Sequence, residues 1–283
     1  MRQLKEKIQA FSRLKNMSAE EEQEARQHIE SFLQLLDEGA VRPVTKASDS
    51  WTVNPWVKEG ILLAFRLGVV KDMSLGFSFY DKSTFPLKDI TLKDKVRIAP
   101  GGTSIRKGAY VAPGVVIMPP AYINTGAYVG NGTLVDSHAL IGSCAQIGRF
   151  CHISAGSQIG GVLEPVNARP VIVEEEVLVG GNCGLYEGVQ VGKRAVLAAG
   201  VILTGSTPLY DLPGKRVIRP EQGQPLIIPP GAVVIPGSRP LNHEFAREHG
   251  LHAYTPIIIK YRDEKTEASV AMEEALREGY ALR

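Results

Sequence analysis

The sequence has few cysteines, and their arrangement argues against two common kinds of site. Its 283 residues include only three, Cys144, Cys151 and Cys183, with no CxxC pair. An odd count without paired spacing argues against a disulfide framework and against a zinc knuckle. A catalytic thiol would need a basic partner, and the only adjacent one, His152, points to the opposite side of an extended segment. We expect three small buried side chains.

Long runs of one charge and long apolar runs are absent as well. The chain has 32 basic and 30 acidic residues mixed along its length, with a formal net charge of +2. This balance does not favour binding to nucleic acid or to an anionic membrane. No apolar stretch approaches the roughly 18 residues of a membrane-spanning helix, and the first residues lack the apolar core of a signal peptide. We expect a cytoplasmic protein that acts on small molecules.

The N-terminal part of the chain carries helix signals. A capping-box spacing begins at Ser18, inside a helical pattern that covers residues 1–38. A second helix is expected to begin after Asn54, where a proline follows, and to stop at Gly68. These signals predict a small helical domain with a linking segment, together residues 1–96.

From about residue 97, an aliphatic residue recurs at every sixth position, with one interruption at residues 160–170. The positions are Ile105, Val111, Ile117, Ile123, Val129, Val135, Ile141, Ile147, Ile153, Ile159, Val173, Val179, Leu185, Val191, Leu197 and Leu203, then more weakly Ile228 and Val234. A small side chain commonly stands two positions earlier, and glycine often stands three positions later, as tight turns require. Three hexads close a triangular coil of about 18 residues, and stacked coils bury the aliphatic side chains. We expect six coils.

Particular segments of the chain resemble a known enzyme family. They include "LLDEGAVRPVTK", "NPWVKEGILLAFRL", "VRIAPGG", "GTLVD", "IGSCAQIG" and "IGGVLEPVNARPVIVEEE". The hexads resemble those of hexapeptide-repeat acyltransferases, and these segments are similar to one family among them, the tetrahydrodipicolinate N-succinyltransferases. The resemblance implies a homotrimer and a mainly β fold. We expect a left-handed parallel β-helix at residues 97–240 with a loop at 160–170, and a C-terminal extension at 241–283.

The resemblance also implies an activity and its residues. The family transfers a succinyl group from succinyl-CoA to the amine of ring-opened tetrahydrodipicolinate, a dicarboxylate, in diaminopimelate and lysine biosynthesis. It uses no permanently bound cofactor and no metal. By this resemblance Asp136 and Glu187 are catalytic, and Asp136, Arg97 and Arg106 bind substrate. Asp136 occupies a slot that elsewhere holds mostly small residues, so packing alone gives no reason for a carboxylate there.

Coenzyme A is implied to lie along the later coils. The backbone groups expected to contact it belong to Gly184, Ala198, Ala199 and Gly205. The chain departs from the family pattern here, because "TGSTPLYD" and "GSRPLNHE" lack the lysines expected in these segments. The phosphates would then need other cations, and the candidates are Lys215, Arg216, Arg219 and Arg239.

Three other interpretations remain open. An acetyltransferase of the same fold would use acetyl-CoA. A carbonic-anhydrase-like prism would need three histidines around zinc, whereas His138 and His152 do not occupy equivalent slots. A non-catalytic scaffold would leave Asp136 unexplained.

Overall fold

The fold is known from a computed structural model, in which residues 1–48, 50–74, 78–220 and 223–262 are described. The N-terminal part contains three helices, α1 (Arg2–Arg13), α2 (Ala19–Asp37) and α3 (Pro55–Leu67). Their apolar sides share one core, so the predicted helical region is present. None of the described helices is long and apolar enough to cross a membrane.

The helix ends follow the sequence signals in part. The capping box is formed, since the Ser18 hydroxyl accepts the Glu21 N–H at 3.2 Å and the Glu21 carboxylate accepts the Ser18 N–H at 2.8 Å. Asn54 occupies the N-cap position of α3 as predicted, but its side chain does not cap the helix. It donates instead to the Arg42 carbonyl at 2.9 Å. Gly68 ends α3 with an extended backbone.

From residue 97 the chain winds into a three-sided prism of parallel sheets. We call its sides the first, second and third faces, in the order in which the chain visits them. The first face contains Arg97–Ile98, Val116–Ile117, Leu134–Val135, His152–Ile153, Leu178–Val179, Val196–Leu197 and Ala232–Pro240. The second contains Ser104–Ile105, Tyr122–Ile123, Leu140–Ile141, Gln158–Ile159, Gly184–Leu185 and Ile202–Leu203. The third contains Tyr110–Val111, Tyr128–Val129, Gln146–Ile147, Ile172–Val173, Gln190–Val191 and Ile227–Ile228.

Each strand pairs in register with the strand of the previous coil. Val135, for example, pairs in parallel with Ile117 below it and with Ile153 above it. The pairing continues across the 160–170 interruption, where Gln146 pairs with Ile172. The second and third faces have six strands each, so the predicted six-coil repeat is confirmed.

The aliphatic residues of the hexads fill the prism. From Ile105 to Val234 they form one continuous core, and none is more than 6% exposed. The small residues two positions earlier are buried beside them. Where these are polar, as at Thr133 and Ser157, the hydroxyl donates to a backbone carbonyl at 2.9 Å. These two hydroxyls are therefore paired, and the core does not bear the cost of leaving them without a partner.

The helical region packs on the edge between the second and third faces. A Cβ on Gly126, whose φ is 75°, would lie 2.9 Å from the Cδ1 of Ile61 in α3. Glycine is needed there for both conformation and contact. One coil later the corner residue is Cys144, and its side chain belongs to the core of the helical region. The cores of the helical region and the prism therefore meet along this edge.

The described residues also form antiparallel hairpins that the sequence pattern does not predict. They pair Val44–Ala47 with Ser50–Val53, Val70–Asp72 with Tyr80–Lys82, Leu209–Asp211 with Arg216–Ile218, and Ala232–Pro240 with His252–Tyr261. The last two continue the sheet of the first face. Two short helical segments, Leu92–Asp94 (3-10) and α4 (Glu244–Glu248), complete the elements. Of the expected extension at 241–283, residues 263–283 lie outside the described part.

The burial of the inward-pointing aliphatic residues can be tested by the same substitution at two neighbouring positions of one strand, Ile227 and Ile228. Ile228 is fully buried, whereas Ile227 is 44% exposed. Ile228→Ala should lower the free energy of unfolding by about 2–5 kcal/mol, because it removes buried methyl groups and leaves a cavity. Ile227→Ala should cost less than about 1 kcal/mol. Urea unfolding followed by circular dichroism measures both, and equal losses would contradict this pattern of burial.

Candidate active site

Asp136 lies at the edge where the chain passes from the first face to the second. Its backbone continues the parallel hydrogen bonding of the first face, since its N–H donates to the Ile153 carbonyl at 2.9 Å. One carboxylate oxygen accepts the Ser137 N–H at 2.7 Å, which holds the side chain in the turn. The carboxylate is half-buried and forms no ion pair with the described residues. Its negative charge is therefore available to a ligand.

Arg97 lies on the first face, below Asp136. Its strand pairs with that of Val116, which in turn pairs with that of Leu134, so Arg97 is two coils from Asp136. At about 4.8 Å per coil, this is about 10 Å along the prism axis. The Arg97 side chain is exposed and has no carboxylate partner within the described part of the chain. One side of the prism thus presents an unpaired cation and an unpaired anion.

Arg106, the second arginine predicted to bind substrate, has different surroundings. Its guanidinium forms an ion pair with Asp81 of the N-terminal region. It also lies over the rings of Phe65 and Phe85, 5.0 and 5.1 Å from their centroids. Its charge is therefore neutralised within the chain, where it joins the first coil to the N-terminal region.

Glu187 lies on another edge, between the second and third faces. Its φ is 53° and that of the following Gly188 is 73°. At the equivalent turn position of the other described hexads, no other residue has positive φ. Positive φ at a residue other than glycine is strained, and such strain is typical of functional positions. The exposed carboxylate accepts the Gly205 N–H at 2.9 Å, which holds the turn in place.

The 160–170 loop lies along this same edge, and it is anchored by a residue that the sequence pattern does not single out. The Lys58 ammonium of α3 is fully buried and donates to the Ala168 carbonyl at 2.5 Å. Burial lowers the pKa of Lys58, because the charged ammonium loses hydration there. The available signal was a lysine within the apolar stretch "WVKEGILL", which ordinarily indicates a solvated side chain.

The loop connects this anchor to the turn of Glu187. Arg169 donates through Nη1 to the Trp51 carbonyl at 3.1 Å. A Cβ on Gly188 would lie 2.7 Å from the Arg169 carbonyl oxygen, so the loop backbone packs directly on this turn. The N-terminal region therefore positions Glu187 through the loop.

The structure does not bring Asp136 and Glu187 together within one chain. Asp136 follows a strand of the first face and Glu187 follows a strand of the second. Counting hexads along the sequence, with the 160–170 loop in place of part of one hexad, predicts the same placement on different faces. The two residues lie at opposite edges of the second face. One side of a coil is six residues long, which span up to about 20 Å. Asp136 and Glu187 are also two coils apart along the axis. One small substrate cannot touch both in a single chain.

The backbone groups predicted to contact coenzyme A lie on the last coils, and most are already paired. Gly184 and Ala198 are buried, and their N–H groups donate within the ladder at 3.0 and 2.8 Å. The Gly205 N–H donates to Glu187. Ala199 is exposed. Of the four, Ala199 is the most open to a ligand.

The nominated phosphate-binding cations also differ from one another. Arg216 pairs with the buried carboxylate of Asp211 at 2.9 Å, so its charge is used within the chain. Lys215 and Arg219 are exposed. Arg239 lies on the strand Ala232–Pro240, and its buried Nε has no hydrogen-bond partner among the described residues.

All three cysteines are free and buried, as predicted. Burial raises the pKa of Cys144 and of Cys151 to about 12 and that of Cys183 to about 11. Since the thiolate is the nucleophilic form, these side chains are inert at neutral pH. In the described ranges, no group of three or more His, Cys, Asp or Glu side chains could hold a metal ion.

Comparison with known proteins relates the whole chain to one group. The family profile "Tetrahydrodipicolinate N-succinyltransferase N-terminal" matches residues 3–67, and "Hexapeptide repeat of succinyl-transferase" matches residues 170–205. The 2,3,4,5-tetrahydropyridine-2,6-dicarboxylate N-succinyltransferase of Coxiella burnetii (strain Dugway 5J108-111) is 44% identical, over 89% of this chain and 90% of its own. Proteins of the same name from Ehrlichia ruminantium (strain Gardel) and Psychrobacter arcticus are 45% identical. These alignments cover 89% and 90% of this chain, and 88% and 91% of the relatives.

A solved structure supports the fold. It is that of a Campylobacter jejuni protein provisionally described as a 2,3,4,5-tetrahydropyridine-2-carboxylate N-succinyltransferase. It aligns with a TM-score of 0.56 and 20% identity, over 82% of this chain and 62% of that one. At this identity the similarity supports the architecture alone.

The buried thiols give a direct test of whether a cysteine takes part in chemistry. At pH 8 the native protein should react negligibly with a thiol reagent such as DTNB, because pKa values of about 11 to 12 leave little thiolate. Unfolding in urea should release all three thiols, which serves as the control. A thiol that reacts rapidly in the native state, with loss of activity, would contradict this assignment.

Proposed function

The chain belongs to the family of 2,3,4,5-tetrahydropyridine-2,6-dicarboxylate N-succinyltransferases, and we propose that it transfers the succinyl group of succinyl-CoA to the amine of ring-opened tetrahydrodipicolinate. This reaction is a step of diaminopimelate and lysine biosynthesis. The observation that carries the proposal is the similarity across both the helical region and the prism, which is more extensive than a shared repeat would produce.

In this reaction the amine nitrogen attacks the thioester carbonyl. A C–N bond forms, the C–S bond breaks, and the amine loses one proton while the leaving thiolate of coenzyme A takes one up. No covalent intermediate with the enzyme is needed. Asp136 holds the amine and accepts its proton as a general base. Its unpaired carboxylate at the prism surface supports this role.

Arg97 binds a carboxylate of the substrate. Its free guanidinium can pair with two carboxylate oxygens in a forked geometry. The offset of about 10 Å from Asp136 suits a substrate that carries an amine at one end and a carboxylate at the other. Arg106 is the weaker candidate, because Asp81 already neutralises it. We assign Arg106 to hold the N-terminal region in place.

The site is completed in a homotrimer. Glu187 and Asp136 lie too far apart in one chain to act on one amine, so Glu187 of one subunit approaches Asp136 of the next. Hairpins of the N-terminal region lie against the second and third faces, where they line cavities with Tyr122 and Tyr128. This leaves the first face, which carries Arg97, for a neighbouring prism.

Succinyl-CoA binds as a co-substrate beside the last coils. The exposed Ala199 and the cations Arg219 and Arg239 are the groups we assign to its pantetheine and phosphates. Arg239 supports this assignment, because its buried Nε has no partner among the described residues. We expect the reaction to take place in the cytoplasm.

The choice of acyl donor separates this proposal from an N-acetyltransferase of the same fold. Release of free coenzyme A thiol, measured with and without tetrahydrodipicolinate, should be at least about tenfold faster with succinyl-CoA than with acetyl-CoA. Release without the acceptor is the control for hydrolysis. Equal or faster turnover with acetyl-CoA would assign the chain to the acetyl branch.

Asp136 and Glu187 can be tested singly and in combination. Asp136→Asn keeps the size and the turn but removes the charge, so acyl transfer should fall by about 10²-fold or more while the prism stays folded. Glu187→Gln should also slow transfer. Mixing the two inactive variants under subunit exchange should restore part of the activity, because a mixed trimer can contain one interface with both carboxylates.

Each variant incubated alone under the same exchange conditions is the control for this mixing. Native mass spectrometry verifies that mixed trimers form. Full activity of Asp136→Asn would refute its catalytic role. Absence of recovery despite verified mixing would mean that both carboxylates serve a site within one subunit.

A further inference from the structure

A second cavity, of about 440 Å³, lies against the third face, outside the turns of Asp136 and Glu187. Its outer wall is the hairpin formed by Val44–Ala47 and Ser50–Val53, and its floor is the prism. Four basic and two acidic side chains line it, together with the rings of Trp51 and Tyr128. The charge balance of this cavity depends on which of these groups already have partners.

Both acidic side chains are engaged. Glu174 accepts from the Lys46 ammonium at 2.8 Å and from the Trp51 indole at 2.9 Å. Burial acts to raise the pKa of Glu174, but these hydrogen bonds outweigh it and lower the pKa below its usual range. Glu175 pairs with Arg149 at 2.9 Å. Neither carboxylate is left to balance a further cation.

Arg42 is the cation without a counter-ion. Its Nε donates to the Oε1 of Gln146 at 2.9 Å, and its guanidinium stacks on Tyr128, 3.6 Å from the ring centroid. Gln146 is itself buried, and its amide nitrogen donates to backbone carbonyls, which orients Oε1 toward Arg42. The Nη groups of Arg42, which lines the cavity, have no acceptor among the described residues.

The position of Arg42 is energetically unfavourable if its only role is to join the hairpin to the prism. Burial lowers the pKa of Arg42, and the groups that act on its charge are Tyr128 and Tyr110, with no carboxylate. Arg42 is half-buried, and a partly desolvated cation without an anion is destabilising, so a neutral side chain would join the hairpin to the prism at lower cost. The fixed guanidinium with free Nη groups therefore indicates a ligand.

We propose that this cavity binds a small organic anion, whose carboxylate or phosphate pairs in a fork with the Nη groups of Arg42 and whose body lies against Trp51. A guanidinium offers parallel N–H groups that match two oxygens of either anion. The volume is within the about 300–1,000 Å³ typical of small-molecule sites and exceeds that of a bare inorganic ion. The proposal does not depend on the acyl-transfer assignment.

The two tryptophans of the chain provide the readout. Trp51 lines the cavity, whereas Trp56 is buried in the core of the helical region. The full chain labelled with 5-fluorotryptophan is titrated at constant ionic strength with benzoate, phenyl phosphate and the uncharged benzyl alcohol. We expect a saturable shift of the Trp51 fluorine resonance with at least one anion, none with the alcohol, and an unchanged Trp56 resonance.

Matched variants assign the binding to Arg42. Arg42→Gln should raise the Kd at least tenfold, whereas Arg97→Gln, which removes the arginine of the proposed active site, should leave it unchanged. Arg42→Lys retains the charge but lacks the fork, and it too should weaken binding. The proposal is overturned if neither anion gives a saturable Trp51 shift, if benzyl alcohol binds equally well, or if the Arg42 variant that folds keeps the original Kd. The ratio of the two anion affinities identifies the preferred headgroup.

Discussion

The whole structure depends on one packing constraint: a triangular coil of hexads cannot bury its own aliphatic side chains. Only the next coil supplies the missing contacts, and it also pairs the backbone groups that would otherwise be buried without partners. Two features follow from this requirement: the continuous core from Ile105 to Val234 and the parallel register on all three faces. Changes in chain length are therefore tolerated only at the corners, where they leave the register intact.

This constraint also decides where function can lie. The interior accepts only aliphatic and small residues, so charged side chains are confined to the edges and to outward strand positions. The helical region, the 160–170 loop and Glu187 occupy the edge between the second and third faces, and Asp136 occupies the edge between the first and second. A rigid prism cannot bend to bring these edges together. For this reason our proposal places a site that uses both carboxylates between subunits.

One buried and two half-buried cations lie at the junction between the N-terminal region and the prism. Lys58 reaches the 160–170 loop, Arg106 pairs with Asp81, and Arg42 crosses to Gln146 on the third face. Each cation loses hydration on burial and is oriented by a specific partner. The packing of the two regions therefore depends on the geometry of these polar contacts as well as on the buried surface area. Arg42 differs from Arg106 because no carboxylate balances it.

The sequence by itself determined the repeating part of this protein, because each hexad is local: alternation within a strand and a tight turn at its end place every sixth side chain inside. It also marked Asp136, whose carboxylate does not fit its slot. The tertiary structure alone decided the hairpins and the engagement of Arg106. It also decided the contact of Lys58 with Ala168, which are 110 residues apart. Such contacts produce no repeating pattern in the sequence, because they depend on how distant segments pack together.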